Sequence, residues 1–212
     1  MNLPLAPSPL EALCASRLGD GFFVRAGRWY GWGIAVSYGL LIAFDPGDPG
    51  ALLLRGLGTL AWIVGGIYGL AAARDTGDGE TDGVLALARA RGFTRRELER
   101  ARAGTSVRRT LHALAGPALL LALVPAFRAE SSGELANGLA RTLGVLSFVV
   151  ILSASVACAA RLSALLSPGH GRTALLGCVL LPHAARSLWP SLPSIPSLLG
   201  ALLEWAVRLG HA

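Results

Sequence analysis

The chain has 212 residues, of which 53% are hydrophobic and 15% charged, with a mean hydropathy of +0.55. This apolar excess argues against a soluble globular domain. The formal net charge of +6 is carried by arginine without a single lysine, so a P-loop lysine, a Schiff base and a lysine general base are all excluded.

The apolar residues come in continuous blocks. Only helices and closed barrels satisfy the backbone in lipid, and barrel strands would alternate in polarity where these blocks do not. The expected fold class is therefore all-α: a polytopic membrane protein of about six transmembrane helices, forming one transmembrane domain over 1–212. The start, MNLPLAPSPLEAL, has no charged stretch followed by an apolar core and a small-residue cleavage site, so no cleaved signal peptide is expected.

Residues 8–28 mix Leu10, Leu13, Leu18, Phe22 and Phe23 with Glu11, Arg17, Asp20, Arg25 and Arg28, and predict an interfacial amphipathic helix. Trp29, Tyr30 and Trp32 would anchor it at headgroup level. A first span over 29–44 stops at the turn cluster DPGDPG. It is short for a hydrocarbon core of about 30 Å. A second span covers 52–73, where Gly65 and Gly69 make a small face one turn apart, suited to close helix packing.

The stretch 74–109, RDTGDGETDGVLALARARGFTRRELERARAGTSVRR, holds nine of the nineteen arginines. Val84, Leu85 and Leu87, then Phe93 and Leu98, recur between them at roughly helical spacing. A third span over 110–127 contains Gly116-Pro117, which predicts a kink tolerated where neighbouring helices satisfy the freed carbonyl. The polar loop RAESSGELANG leads to a fourth span, 139–166, whose middle, SASVACAA, suits a crowded interface. A fifth span covers 173–189. Pro190, Pro193 and Pro196 then call for a broken or re-entrant element before a sixth span over 192–209, where Glu204 and Arg208 stand at i,i+4.

Arginine placement sets the expected orientation. With the N-terminus inside, the inner segments hold Arg17, Arg25, Arg28, the nine of the central stretch, Arg172 and Arg208; the outer ones keep Arg55, Arg128, Arg141 and Arg186. The basic balance is thus assigned to topology and not to nucleic acid. Cys14, Cys158 and Cys178 read as small core residues. His112 is expected at a helix end and His183 in a packed span, and neither shares a metal-ligand spacing with His170 or His211. Ser153 and Ser155 read as helix-packing residues, since no G-x-S-x-G frame surrounds them.

Within the central stretch, Glu80-Thr-Asp-Gly83 is followed by an apolar run and then by Thr94-Arg95-Arg96-Glu97-Leu98. This resembles the first cytoplasmic loop of ABC-2 type transporter permeases, the membrane subunits of many bacterial ABC exporters. Glu80, Gly83, Leu85, Leu87, Phe93, Thr94, Arg95, Glu97 and Leu98 fall in register with that loop, and Gly92 stands where the family usually has proline. The resemblance implies a cytoplasmic coupling helix, over 83–91, seated in a cleft of a separate ATP-hydrolysing subunit.

In that role Gly83 allows a sharp entry, Val84, Leu85 and Leu87 face the groove, and Arg91 closes the helix. Thr94 caps the next helix with Glu97, while Arg95 and Arg96 reach acidic groups or lipid phosphates. It also implies a second permease copy or a similar subunit, contact with membrane lipid, and ATP and magnesium bound by the partner and not by this chain. Two rival classes stay open. DGETDGVLALARARG is similar to the start of CDP-alcohol phosphatidyltransferases, but Leu87 follows Ala86 where that family has arginine, and no aspartate follows Asp82 to complete a metal pair. A membrane scaffold whose basic loop recruits a cytoplasmic partner is the other.

Overall fold

A computed structural model describes residues 21–44, 48–75, 86–87, 89–127, 131–167, 170–186, 188–191 and 195–208. Among them the chain forms six helices and no strand: α1 (Phe22–Phe44), α2 (Pro49–Asp75), α3 (Arg95–Phe127), α4 (Ser132–Leu166), α5 (Gly171–Ala185) and α6 (Ile195–Arg208). Helix α2 lies at the centre and touches each of the other five. The core is its meeting ground with α1, α3 and α4, where Ile42, Leu57, Val64, Leu114, Leu121 and Phe148 are essentially closed to solvent.

Three helices are long and apolar enough to cross a membrane: Pro49–Ala73 of α2, Arg96–Pro125 of α3 and Ser132–Leu166 of α4. Helix α1, with 23 residues, carries Arg25 and Arg28 in its first turns. Helices α5 and α6 have 15 and 14 residues. At 1.5 Å per residue these reach only about 22 and 21 Å, short of a hydrocarbon core of about 30 Å.

Several expected boundaries move. Residues 8–20 of the interfacial helix lie outside the described residues, and 22–28 are not a separate element: they run without interruption into α1. Val24 and Gly27 already pack on α2 there, and the Tyr68 hydroxyl donates to the Val24 carbonyl at 3.2 Å. A Cβ at Gly27 would stand 2.9 Å from the Tyr68 ring, so the close approach depends on glycine.

The basic stretch also loses its second half to the bundle, because α3 begins at Arg95 and not at 110. Leu98, Ala101 and Thr105 form its buried stripe, and the Thr105 hydroxyl bonds back to the Ala101 carbonyl at 2.7 Å. Likewise 132–138 of the expected polar loop are the first turns of α4, started by Ser131, whose hydroxyl accepts from Glu134 N–H at 3.2 Å.

Helix α3 continues through both Pro117 and Pro125. Pro117 cannot donate to the Ala113 carbonyl, and both groups flank Gly31 of α1, where an added Cβ would lie 3.5 Å from each. Among the described residues, Arg186 and 188–191 are not helical and α6 starts at Ile195, so the helical run is broken around Pro190. Pro196 sits in the first turn of α6, a position proline tolerates.

The Gly65–Gly69 face packs inside the chain, against Val156 of α4 and, at Gly69, Leu175 of α5. Ser153, Ala157 and Ala160 are buried as the small-residue run suggested, with the Ser153 hydroxyl on the Val149 carbonyl at 2.7 Å. Ser155 faces outward instead. Cys158 and Cys178 are exposed on the outer faces of α4 and α5, and Cys14 lies outside the described residues. His112 stands mid-helix in α3 and His183 is exposed in the last turn of α5, because α3 extends further back than expected and α5 ends sooner.

Candidate partner-binding turn

The stretch between α2 and α3 is described from residue 86 onward, apart from residue 88. Glu80, Gly83, Val84 and Leu85 therefore lie outside the described residues. Residues 86–87 and 89–90 are helical, and the short helix closes with Arg91 N–H on the Leu87 carbonyl at 3.2 Å and Gly92 N–H on the Arg89 carbonyl at 2.9 Å. Gly92 has φ +81, the left-handed conformation that ends helices and that favours glycine.

This gives the departure from the resembled family a physical content. Proline is locked near φ −65° and has no N–H, so it could make neither the conformation nor the bond found at Gly92. Position 92 is built here around glycine.

From Gly92 the chain passes through Phe93, which is half-buried, to Thr94. Thr94 and Glu97 then close a reciprocal cap. Thr94 N–H donates to Glu97 Oε2 at 2.7 Å, the Thr94 hydroxyl donates to the same oxygen at 2.8 Å, and Glu97 N–H donates to Thr94 Oγ1 at 3.3 Å. These bonds from Thr94, first the backbone one and then the hydroxyl, hold the Glu97 carboxyl below its ordinary range, with Arg100 adding to the effect. Glu97 belongs to the exposed, charged first turn of α3, well ahead of the apolar run that begins near Thr110.

The described site residues separate into two groups. Leu87 and Arg91 are exposed and present a small apolar and cationic surface at the tip of the turn, and Thr94 is exposed beside them. Leu98, in register with the resembled loop, is 1% exposed and packs inside the bundle. Arg95 opens α3 as the first residue after the cap.

Two contacts anchoring this end of the bundle escape a reading by spans. Arg161 of α4 pairs with Glu99 of α3 at 2.9 Å, and Arg172 Nε donates to the Leu70 carbonyl of α2 at 3.2 Å. The signal for the first was present in the sequence: Arg161 is a lone cation near the end of an apolar helix, and a partner one turn into α3 follows once α3 is extended back to Arg95. A shallow groove runs along the outer flank of α1, bordered by Ala26, Trp29, Gly33 and Tyr38. Among the described residues no group of histidine, cysteine, aspartate and glutamate could hold a metal ion.

No family model, curated protein or solved structure matches this chain.

Proposed function

We propose that this chain is the membrane subunit of an ABC-2 type exporter in a bacterial inner membrane, with its N-terminus in the cytoplasm and six crossings, those of the short α5 and α6 requiring local thinning of the bilayer. It works with a second permease subunit and a separate ATPase that binds ATP and magnesium. The observation that carries the reading is the set of exposed helical residues 86–87 and 89–90, joined through Gly92 and a fully made cap to a helix of 33 residues that enters the core.

Such a helix is about 50 Å long at 1.5 Å per residue. Packed as one element, it converts displacement of its exposed end into movement among α1, α2 and α4. Leu87 and Arg91 at the tip suit a groove with apolar walls and acidic rims, the usual way a short amphipathic helix is received. Residues 80–87 and 91–95 form the contact, with Glu80, Gly83, Val84 and Leu85 completing the surface that Leu87, Arg91, Phe93, Thr94 and Arg95 begin.

The test is purification of the tagged full chain from its native membrane, with MgATP hydrolysis measured in the eluate. The wild type should bring an ATPase activity with it, and the Val84→Asp, Leu85→Asp, Leu87→Asp triple variant should insert in the membrane at the wild-type level but lose that activity. Absence of ATPase from the wild type, or its retention by the variant, overturns the reading.

A further inference from the structure

Helices α3 and α4 form one antiparallel hairpin in even register. The chain passes from Phe127 to Ser132 at one end, and the Arg161–Glu99 pair at 2.9 Å joins residues that stand equally far from that loop to within one residue. Continuing the same register sets Leu165 and Leu166, the last residues of α4, level with Arg95 and Thr94, where α3 begins. The start of α5 lies at this height too, since a Cβ added at Gly171 would be 3.3 Å from Ala164 Cα.

This layer is strongly charged. Arg96, Glu97 and Arg100 of α3 are exposed in it, His170 is exposed ahead of α5, and Arg161 and Arg172 make their contacts here. Ionised side chains at this density place the layer outside the hydrocarbon. Yet Leu162, Leu165 and Leu166 are 59%, 58% and 75% exposed within it. They stand at i, i+3 and i+4 and so share one side of α4, while Ser163 and Ala164 turn inward. Leu165 also follows Arg161 by one turn, which sets it on the flank of α4 nearest the first turn of α3.

A single exposed leucine is ordinary, whereas three together in a hydrated layer mark a contact surface. The rim of this one is basic: Glu97 is held in the Thr94 cap and Glu99 on Arg161, whereas Arg96 and Arg100, one turn apart, are exposed. An apolar patch with a basic rim fits a protein face that is apolar at its centre and acidic at its edge. The patch ends level with the Thr94 cap, so it continues the exposed surface that Leu87 and Arg91 begin on the other side of Gly92.

We infer that the end of α4, through Leu162, Leu165 and Leu166 with Arg96 and Arg100 at its rim, is a second docking surface for the same ATPase that receives Leu87 and Arg91. The inference rests on the transporter reading proposed above. It makes the partner grip both arms of the α3–α4 hairpin instead of meeting the turn alone.

A photo-crosslinking amino acid placed at position 87 or at position 166 of the full chain, irradiated in native membranes, tests it. Both positions should give an adduct with one and the same polypeptide, in which mass spectrometry finds a P-loop peptide. The Leu162→Asp, Leu166→Asp variant should reach the membrane at the wild-type level and lose co-purified MgATP hydrolysis by about tenfold or more. Leu135→Asp, exposed at the other end of α4, should keep it. Should the aspartate pair impair insertion, Leu162→Gln, Leu166→Gln gives a milder change with the same readout. An ATPase adduct from position 87 together with only lipid, this chain's own N-terminal peptides or nothing from position 166 overturns the inference and leaves the transporter reading standing, as does full ATPase recovery with the leucine variants. No ATPase adduct from position 87 removes both.

Discussion

Replacing Gly92 isolates the backbone of the candidate partner-binding turn from its side chains. An added Cβ at Gly92 meets nothing within 4 Å, so Gly92→Ala introduces no clash, and its effect comes from φ +81 alone. Holding a non-glycine residue in the left-handed region costs about 1–2 kcal/mol, which corresponds to roughly a five- to thirtyfold shift toward the open form of the turn. Gly92→Pro should be worse, because it forbids that φ altogether and removes the 2.9 Å bond from Gly92 N–H to the Arg89 carbonyl.

Hydrogen exchange of the Arg91 amide, which donates to Leu87, reads the effect directly. Exchange should accelerate about fivefold or more in Gly92→Ala and further in Gly92→Pro, while the melting temperature stays close to wild type because the turn opens locally. Unchanged or slower exchange in Gly92→Pro, the residue usual in the resembled family, would refute the reasoning and show that the turn takes a proline-compatible form.

Gly171 should respond in the opposite sense from an open glycine. A Cβ there would lie 2.9 Å from the Ala73 carbonyl oxygen and 3.3 Å from Ala164 Cα, both backbone, so Gly171→Ala should destabilise the chain by about 1–3 kcal/mol in detergent unfolding. Gly66, mid-helix with open space, should gain up to about 1 kcal/mol on substitution by alanine. The Thr94–Glu97 cap should depend on pH. The Glu97 carboxyl is held below its ordinary value of 4.5, so its contribution is fully present above that pH and lost as pH falls through its lowered folded-state value. Amide exchange at the start of α3 should accelerate below pH 4.5 in the wild type, and Glu97→Gln should abolish that pH dependence.

Much of this architecture is written in one-dimensional patterns. Blocks of apolar residues set off by DPGDPG, by SPGHGR and by the proline-spaced segment announce a helical membrane protein, because lipid leaves the backbone few other choices. The cap from Thr94 to Glu97 was legible for the same reason: it is satisfied by residues three apart. So was the small face at Gly65 and Gly69, whose spacing alone brings a neighbour close. Helix lengths were less legible. Hydropathy ends a span where charge begins, whereas α3 starts fifteen residues earlier because Leu98, Ala101 and Thr105 bury one stripe of an otherwise charged segment. The same blindness placed Cys158 and Cys178 in the core, since small apolar residues look alike whether a helix turns them inward or outward.

The central turn illustrates the division. Sequence alone established that a basic, helix-prone segment lies between apolar blocks and that Thr94 begins a new helix, because these depend on neighbours along the chain. Only the tertiary structure decided that Leu98 faces the bundle core, that Arg161 closes on Glu99, and that Gly92 must be glycine. Each of these depends on which helix lies beside which and in what register, and on a backbone angle that residue order does not specify.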